Sequence, residues 1–320
     1  MADDAAAVAA RQQESIAALE SGRLPIAAQE RIDELREGQA AWTSDLSVAE
    51  LAAIRHAGFE PVGMVMGSSV YYIGAQWGYI NVYGSAGGGH VRTYPCPHGF
   101  GWGGGGFGGG PLGGGGDHRY GYNWEHSFYE SGVVACRDAA LMRILQEASD
   151  LNAHGVVGVR LIRRHLEGVG NSMELTMIGT AIRRAGQPPL RTPFMSHLDG
   201  VSFGKLLHGG YVPVALVVGI GVMEIDPGCQ TEWQLRSWSN ARVDQISDGL
   251  EAARLLGINR LEGEVARVDA DGAVGVDVDF NTHELMGESM LVELYLTGTA
   301  VRRYAKEPMD EPPLPIMRLR

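Results

Sequence analysis

The stretch His56-Ala57-Gly58-Phe59-Glu60-Pro61-Val62-Gly63-Met64-Val65-Met66-Gly67 returns 152 residues later as His208-Gly209-Gly210-Tyr211-Val212-Pro213-Val214-Ala215-Leu216-Val217-Val218-Gly219. The shared pattern, His-x-Gly-aromatic-x-Pro-Val-x-x-Val-x-Gly, has no gap. A second pair, Gly179-Thr180-Ala181-Ile182-Arg183-Arg184 and Gly298-Thr299-Ala300-Val301-Arg302-Arg303, closes each copy. The chain is a tandem duplication, and its 320 residues give each copy enough length to bury a core of its own.

Each phrase reads as a helix stop followed by a strand. Ser47 and Glu50 form a capping box, and the helix they start ends at His56 and Gly58, a glycine placed to turn left-handed. Histidine in a last helical turn suits the negative end of the dipole, so His56 and His208 are read as helix-end residues rather than ligands. After Pro61 and Pro213, residues on both faces of each strand are apolar or small. One helix covers only one face, so the second face must meet the sister repeat or another subunit.

Each copy then carries an amphipathic helix. The first starts near Val134 with Leu141, Ile144, Leu145, Ala148 and Leu151 in register. The second has Val243, Ile246, Leu250 and Ala253 and reaches toward Val268 with a break at Gly257. Strands are expected at about 156–165 and 173–183, then 274–283 and 291–302, each pair joined by a hairpin. The fold class is α+β, with two strand-helix-strand-strand units, each a sheet layer plus a helix, assembling through sheet faces or edges. The expected divisions are a helical arm over 1–46, a first domain over 47–184 with a glycine-rich insertion at 78–132, a linker over 185–193, a second domain over 194–303 and a proline-rich tail over 304–320.

The formal charge of −12 repels polyphosphates and anionic lipid, which argues against nucleic-acid and membrane partners. The start of the chain lacks the basic and apolar regions of a signal peptide, and no apolar run is long enough to span a bilayer. Cys96, Cys136 and Cys229 make an odd count in unlike contexts, so a cytoplasmic protein with reduced thiols is expected.

The insertion holds Cys96, His98, His118 and His126, donors suited to zinc or another transition metal, on a spacing that matches no established motif. Its aromatic residues lack the basic partners of a nucleic-acid site. Gly219-Ile220-Gly221 begins like a dinucleotide loop but continues to Glu224, where a third glycine would be needed. No catalytic triad or Cys-His pair can be assembled from spacing. Asp277 and Asp279, two apart on one strand, and Arg160, Arg163 and Arg164 on its counterpart suggest that unlike repeats meet with opposite charges.

The copied phrase, the Gly-Val-Val-Gly-Val run within 153–159 with its counterpart at 273–276, and the closing Gly-Thr-Ala-Ile/Val-Arg-Arg resemble the YbjQ-like family, which carries a heavy-metal-binding label. The resemblance covers most of 50–184 and 200–303. It implies a dodecin-like β-α-β-β unit and ring assembly, typically pentameric, and it transfers no ligand set. The glycine loop, the terminal arms and the duplication depart from that pattern. Three readings result: a non-enzymatic homo-oligomeric ring or shell protein, a metal- or small-ligand-binding module using the Cys96 to His126 loop, or, ranked behind these, an enzyme with a site between subunits.

Overall fold

Helix stops position both halves of the molecule. The computed structural model describes residues 2–72, 91–94, 121–166, 172–236, 238, 240, 242–284 and 289–304. Helices α1 (Ala2–Glu20) and α2 (Ile26–Arg36) form the N-terminal hairpin, and α3 (Val48–His56) follows. The capping box is present: Ser47 Oγ accepts from Glu50 N at 3.3 Å, and the Glu50 carboxylate accepts from Ser47 N at 2.6 Å. Gly58 ends α3 at φ +82°, as Gly210 does after α5 (Gly200–His208) at φ +80°. The two helices lie side by side, with the His56 and His208 rings 5.8 Å apart.

The phrases become β1 (Phe59–Tyr72) and β7 (Tyr211–Asp226). The first repeat adds β2 (Val91–Tyr94), β3 (Gly121–Glu125), α4 (Ser127–Asp150), β4 (Gly155–Leu166) and β5 (Ser172–Arg184), and β6 (Phe194–Met195) leads into the second. That repeat adds α6 (Cys229–Leu235), α7 (Asp244–Arg267), β8 (Gly272–Glu284) and β9 (Met290–Arg303). The sheet orders are β1-β5-β4-β6 and β2-β3-β7-β9-β8. All pairings are antiparallel except β6 on β4. The duplication extends to backbone irregularities: the register shift between Val157 and Arg160 recurs between Val274 and Asp277, and Gly158 and Gly275 both have positive φ, at +63° and +64°.

Each repeat lays its helix directly on its phrase strand. A Cβ on Gly67 would lie 2.1 Å from the Ala140 carbonyl oxygen, and Cβ atoms on Gly219 and Gly221 would lie 2.1 Å from those of Gly257 and Ala253. The Gly219-Ile220-Gly221 run is therefore a helix seat. The expected break at Gly257 is absent, because α7 continues through the point of backbone contact.

The second faces differ between the copies. Leu216, Val218, Ile220 and Val222 of β7 share a core with Val133, Cys136, Ala140 and Ile144 of α4. The layers thus run first sheet, α4, second sheet, α7. On β1 the matching face stays open, with Met66 47 %, Val70 58 % and Tyr72 65 % exposed. Among the described residues, coverage of both strand faces is met for β7 and not for β1.

Three further differences from the sequence reading have local causes. Helix α4 begins at Ser127 rather than near Val134, because His126 caps it by accepting from Tyr129 N at 3.3 Å. Residues 121–125, placed in the insertion, form a strand that extends the second repeat's sheet, pairing Tyr122 with Asp226 and Trp124 with Glu224. Gln245 holds that seam: its Oε1 accepts from Thr231 Oγ1 at 2.6 Å, and its Nε2 donates to the Asp226 carbonyl at 2.7 Å and to Asn123 Oδ1 at 3.2 Å. Among the described cysteines Cys136 is free and buried, whereas Cys229 is disulfide-bonded, which departs from the expected reduced thiols. The arm packs on its own repeat, Arg31 donating to the Met64 carbonyl at 2.8 Å and to Glu147 at 2.5 Å.

Candidate functional site

Strand alternation brings a set of polar side chains together at the seam between the repeats. Arg163 and His165, two apart on β4, face the second repeat; on β8, Asp279, Asn281 and His283 share one face. Across the β8–β9 ladder Asp279 lies opposite Tyr295 and Asn281 opposite Glu293, so Glu293 and Tyr295 look out on the same side. Arg163 forms an ion pair with Asp279. Unlike repeats do meet with opposite charges, and they do so inside one chain; Arg160 pairs instead with Asp45, at 2.5 Å.

Glu293 is fully buried. Its Oε2 accepts from the Tyr295 hydroxyl at 3.2 Å and lies 3.6 Å from Arg163 Nη1, and that guanidinium stacks 3.3 Å from the centroid of the Tyr295 ring. The other oxygen, Oε1, is 3.5 Å from His283 Nε2, and both of these buried atoms are without a hydrogen-bond partner. The His165 ring stands 4.6 Å from that of His283, edge to face. One ligand atom from each of His165, His283 and Glu293 falls within 4.8 Å of the others.

Burial pushes the Glu293 carboxyl up, but His283, Tyr129 and the nearby positive charges outweigh it and hold the group below its ordinary value. The adjacent Glu293 carboxylate in turn raises His283. Burial lowers His165, and burial together with the Glu293 charge raises the hydroxyls of Tyr129 and Tyr295. The result is a buried carboxylate kept ionised beside two imidazoles. Such a set can hold a cation or a proton, and no side chain in it has the character of an activated nucleophile.

Of the donors expected from sequence, Cys96, His98 and His118 lie outside the described residues. His126 is described: its Nδ1 caps α4, its Nε2 lies 3.7 Å from Glu224 Oε2, and burial lowers its pKa. Glu224 itself is pushed up to about 7, by burial and then by the charge of Asp226. Close by, Arg260 reaches Glu125 and Glu130, both at 2.5 Å, and donates to the Ile220 carbonyl at 2.5 Å. A small cavity of about 130 Å³ lies beside the β3 seam, lined by Tyr94, Thr231 and Gln245 among others. The His165, His283 and Glu293 cluster was missed in the sequence because its members are far apart along the chain. The available signal was the two-residue spacing that already set Arg163 against Asp279.

A family profile described as "Putative heavy-metal-binding", of the YbjQ type, matches residues 124–185. Across almost the whole length, the chain is similar to a protein of Mycobacterium tuberculosis (strain ATCC 25618 / H37Rv) named "Encapsulin nanocompartment protein Rv1762c". The two are 31 % identical over 290 residues, spanning 89 % of this chain and 94 % of that protein.

Proposed function

This chain belongs to the same family as the mycobacterial nanocompartment protein and has two tandem YbjQ-like domains, and from that premise we propose that it is a non-enzymatic subunit that self-assembles head to tail into a ring or shell serving such a compartment. The carrying observation is that the contact between its two repeats leaves matching ends unused. In the second repeat, the inner face of β7 rests against α4 of the first. The equivalent face of β1 is open, and so is the outer side of α7, where Leu255 is 55 % and Ile258 44 % exposed. Ile258 is the counterpart of Leu141, which packs into the core between the repeats.

A second pair of ends obeys the same rule. At the repeat junction Phe194 of β6 seats its ring on Gly155, where an added Cβ would lie 2.4 Å from the ring atoms. The counterparts are Trp42, 45 % exposed, and Gly272, which has nothing within 4 Å of where a Cβ would stand. Trp42 and the open β1 face lie on the first repeat, α7 and Gly272 on the second. One copy's front therefore complements the next copy's back, a heterologous contact that closes into a ring when its rotation permits. Within this reading the domains are 47–184 and 194–303, with residues 121–125 lent by the first to the second.

The test is a mixing experiment followed by native mass spectrometry. Met66→Asp with Val70→Asp disables the front, and Leu255→Asp with Ile258→Asp disables the back. Each double variant alone is expected to be monomeric with wild-type circular dichroism, and an equimolar mixture to give one-to-one dimers, because each retains one working end. A monomeric wild-type protein at micromolar concentration, or wild-type oligomers from both variants, would refute the reading.

A further inference from the structure

The geometry points to the seam between the repeats as a binding site for one divalent transition-metal ion of the zinc class, held by His165, His283 and Glu293. Imidazole nitrogen and carboxylate oxygen are the donors such ions take, and bonds of about 2.0–2.1 Å at tetrahedral angles set neighbouring ligand atoms roughly 3.4 Å apart. His283 Nε2 and Glu293 Oε1 stand 3.5 Å apart, already at that spacing. These are also the two buried atoms of the pair that no hydrogen bond satisfies, although native proteins rarely leave buried polar atoms unpaired. A cation between them would satisfy both.

The surroundings fit that role. Tyr295 and Arg163 engage Glu293 Oε2 and so fix the carboxylate with Oε1 turned toward the histidines. Outer groups that orient ligands in this way are a regular part of metal sites. Asp279 pairs with the Arg163 charge, which keeps the guanidinium from standing as an uncompensated cation at the site. The buried Glu293 and the half-buried His283 form the floor, and the exposed His165 gives a path for entry and completes the set. Three protein ligands leave a fourth position for water. Among the described residues the set occurs once: Thr282 stands where the second repeat would repeat His165, and Leu166 where the first would repeat His283.

The ion would tie a strand of one repeat to a strand of the other, so binding is read both as uptake and as stabilisation. Full-length protein stripped with chelator is titrated with Zn²⁺ by calorimetry and with Co²⁺ by visible absorption. One equivalent is expected to depend on the seam. In His165→Ala and in His283→Gln it binds about tenfold or more weaker, loses the intense absorption of four-coordinate cobalt, and no longer raises the melting temperature. His165 is exposed, so His165→Ala is expected to keep the wild-type circular dichroism. A Cys96→Ser, His98→Ala variant keeps the seam equivalent, which separates it from any uptake by the glycine-rich loop. Metal uptake unchanged in both histidine variants, or no Zn²⁺ bound by the wild type at tenth-millimolar free metal, overturns the assignment. Neither result bears on the mixing experiment, which needs no metal.

Discussion

Replacing Gly219 by alanine tests the closest helix-to-strand contact in the second repeat. The added methyl would stand 2.1 Å from the Gly257 carbonyl oxygen, 2.8 Å from Leu261 Cβ and 2.9 Å from Leu261 N. All three belong to α7, and two are backbone atoms, so no side-chain rotation relieves the clash. The helix must retreat by about 1 Å from a strand to which it is packed, and overpacking of this kind costs about 1–3 kcal/mol. A smaller term opposes it, since alanine restricts the unfolded chain and contributes about 0.4–1 kcal/mol. The net expectation is a loss of about 1.3 kcal/mol, which at a slope of about 3 kcal/mol per molar urea moves the unfolding midpoint down by about 0.4 M. Gly263→Ala is the internal control: it lies on the same helix with nothing within 4 Å, and should gain up to about 1 kcal/mol. Both are measured at one protein concentration, because assembly contributes to apparent stability. A Gly219→Ala midpoint equal to that of wild type would show that α7 does not rest on the β7 backbone.

Glu224 gives a pH signature. Its folded pKa is raised to about 7 from an ordinary 4.5, so the folded state binds more protons between those values and stability falls as pH rises through that window. Glu224→Gln should therefore melt above wild type at pH 8, with the gap narrowing toward pH 5; a gap independent of pH contradicts this. Gln245→Ala should cost about 2 kcal/mol or more, because it strips partners from Thr231, Asn123 and the Asp226 carbonyl at once. Hydrogen exchange should show the lost protection centred on 121–125. Gly155→Ala and Gly272→Ala should separate two roles of equivalent glycines. The first meets the Phe194 ring and lowers the melting temperature of the chain, whereas the second meets nothing and leaves that of the monomer unchanged. The bulkier Gly272→Phe should weaken oligomers in native mass spectrometry while the isolated chain still folds.

Much of the fold was legible because it is set by local rules. The Ser47 and Glu50 capping box, the left-handed Gly58 and Gly210 and the four hairpin strands all follow from nearby residues. What was missed depends on contacts between distant parts. Gly257 looked like a helix break because glycine weakens helices in general; here it provides the surface on which Gly219 rests. Residues 121–125 showed no pattern that named their partner strand, since edge pairing is chosen by tertiary placement. The doubly apolar strands call for two covers each, and only the fold distinguishes β7, which has both, from β1, whose second face is left open. His165 and His283 each sit near the end of an outer hairpin strand, and nothing local marks them as neighbours.

The loan of β3 to the other repeat's sheet has a consequence for how the molecule is made and unmade. A ribosome finishes β3 well before it begins β7, so the second sheet waits for a strand synthesised long in advance, and this distant pairing belongs among the slower steps of folding. The same stitch means that the linker is not what keeps the halves together. A protease that cuts between residues 185 and 193 would leave two polypeptides still sharing a sheet and a core, a nicked protein that behaves in solution as an intact one.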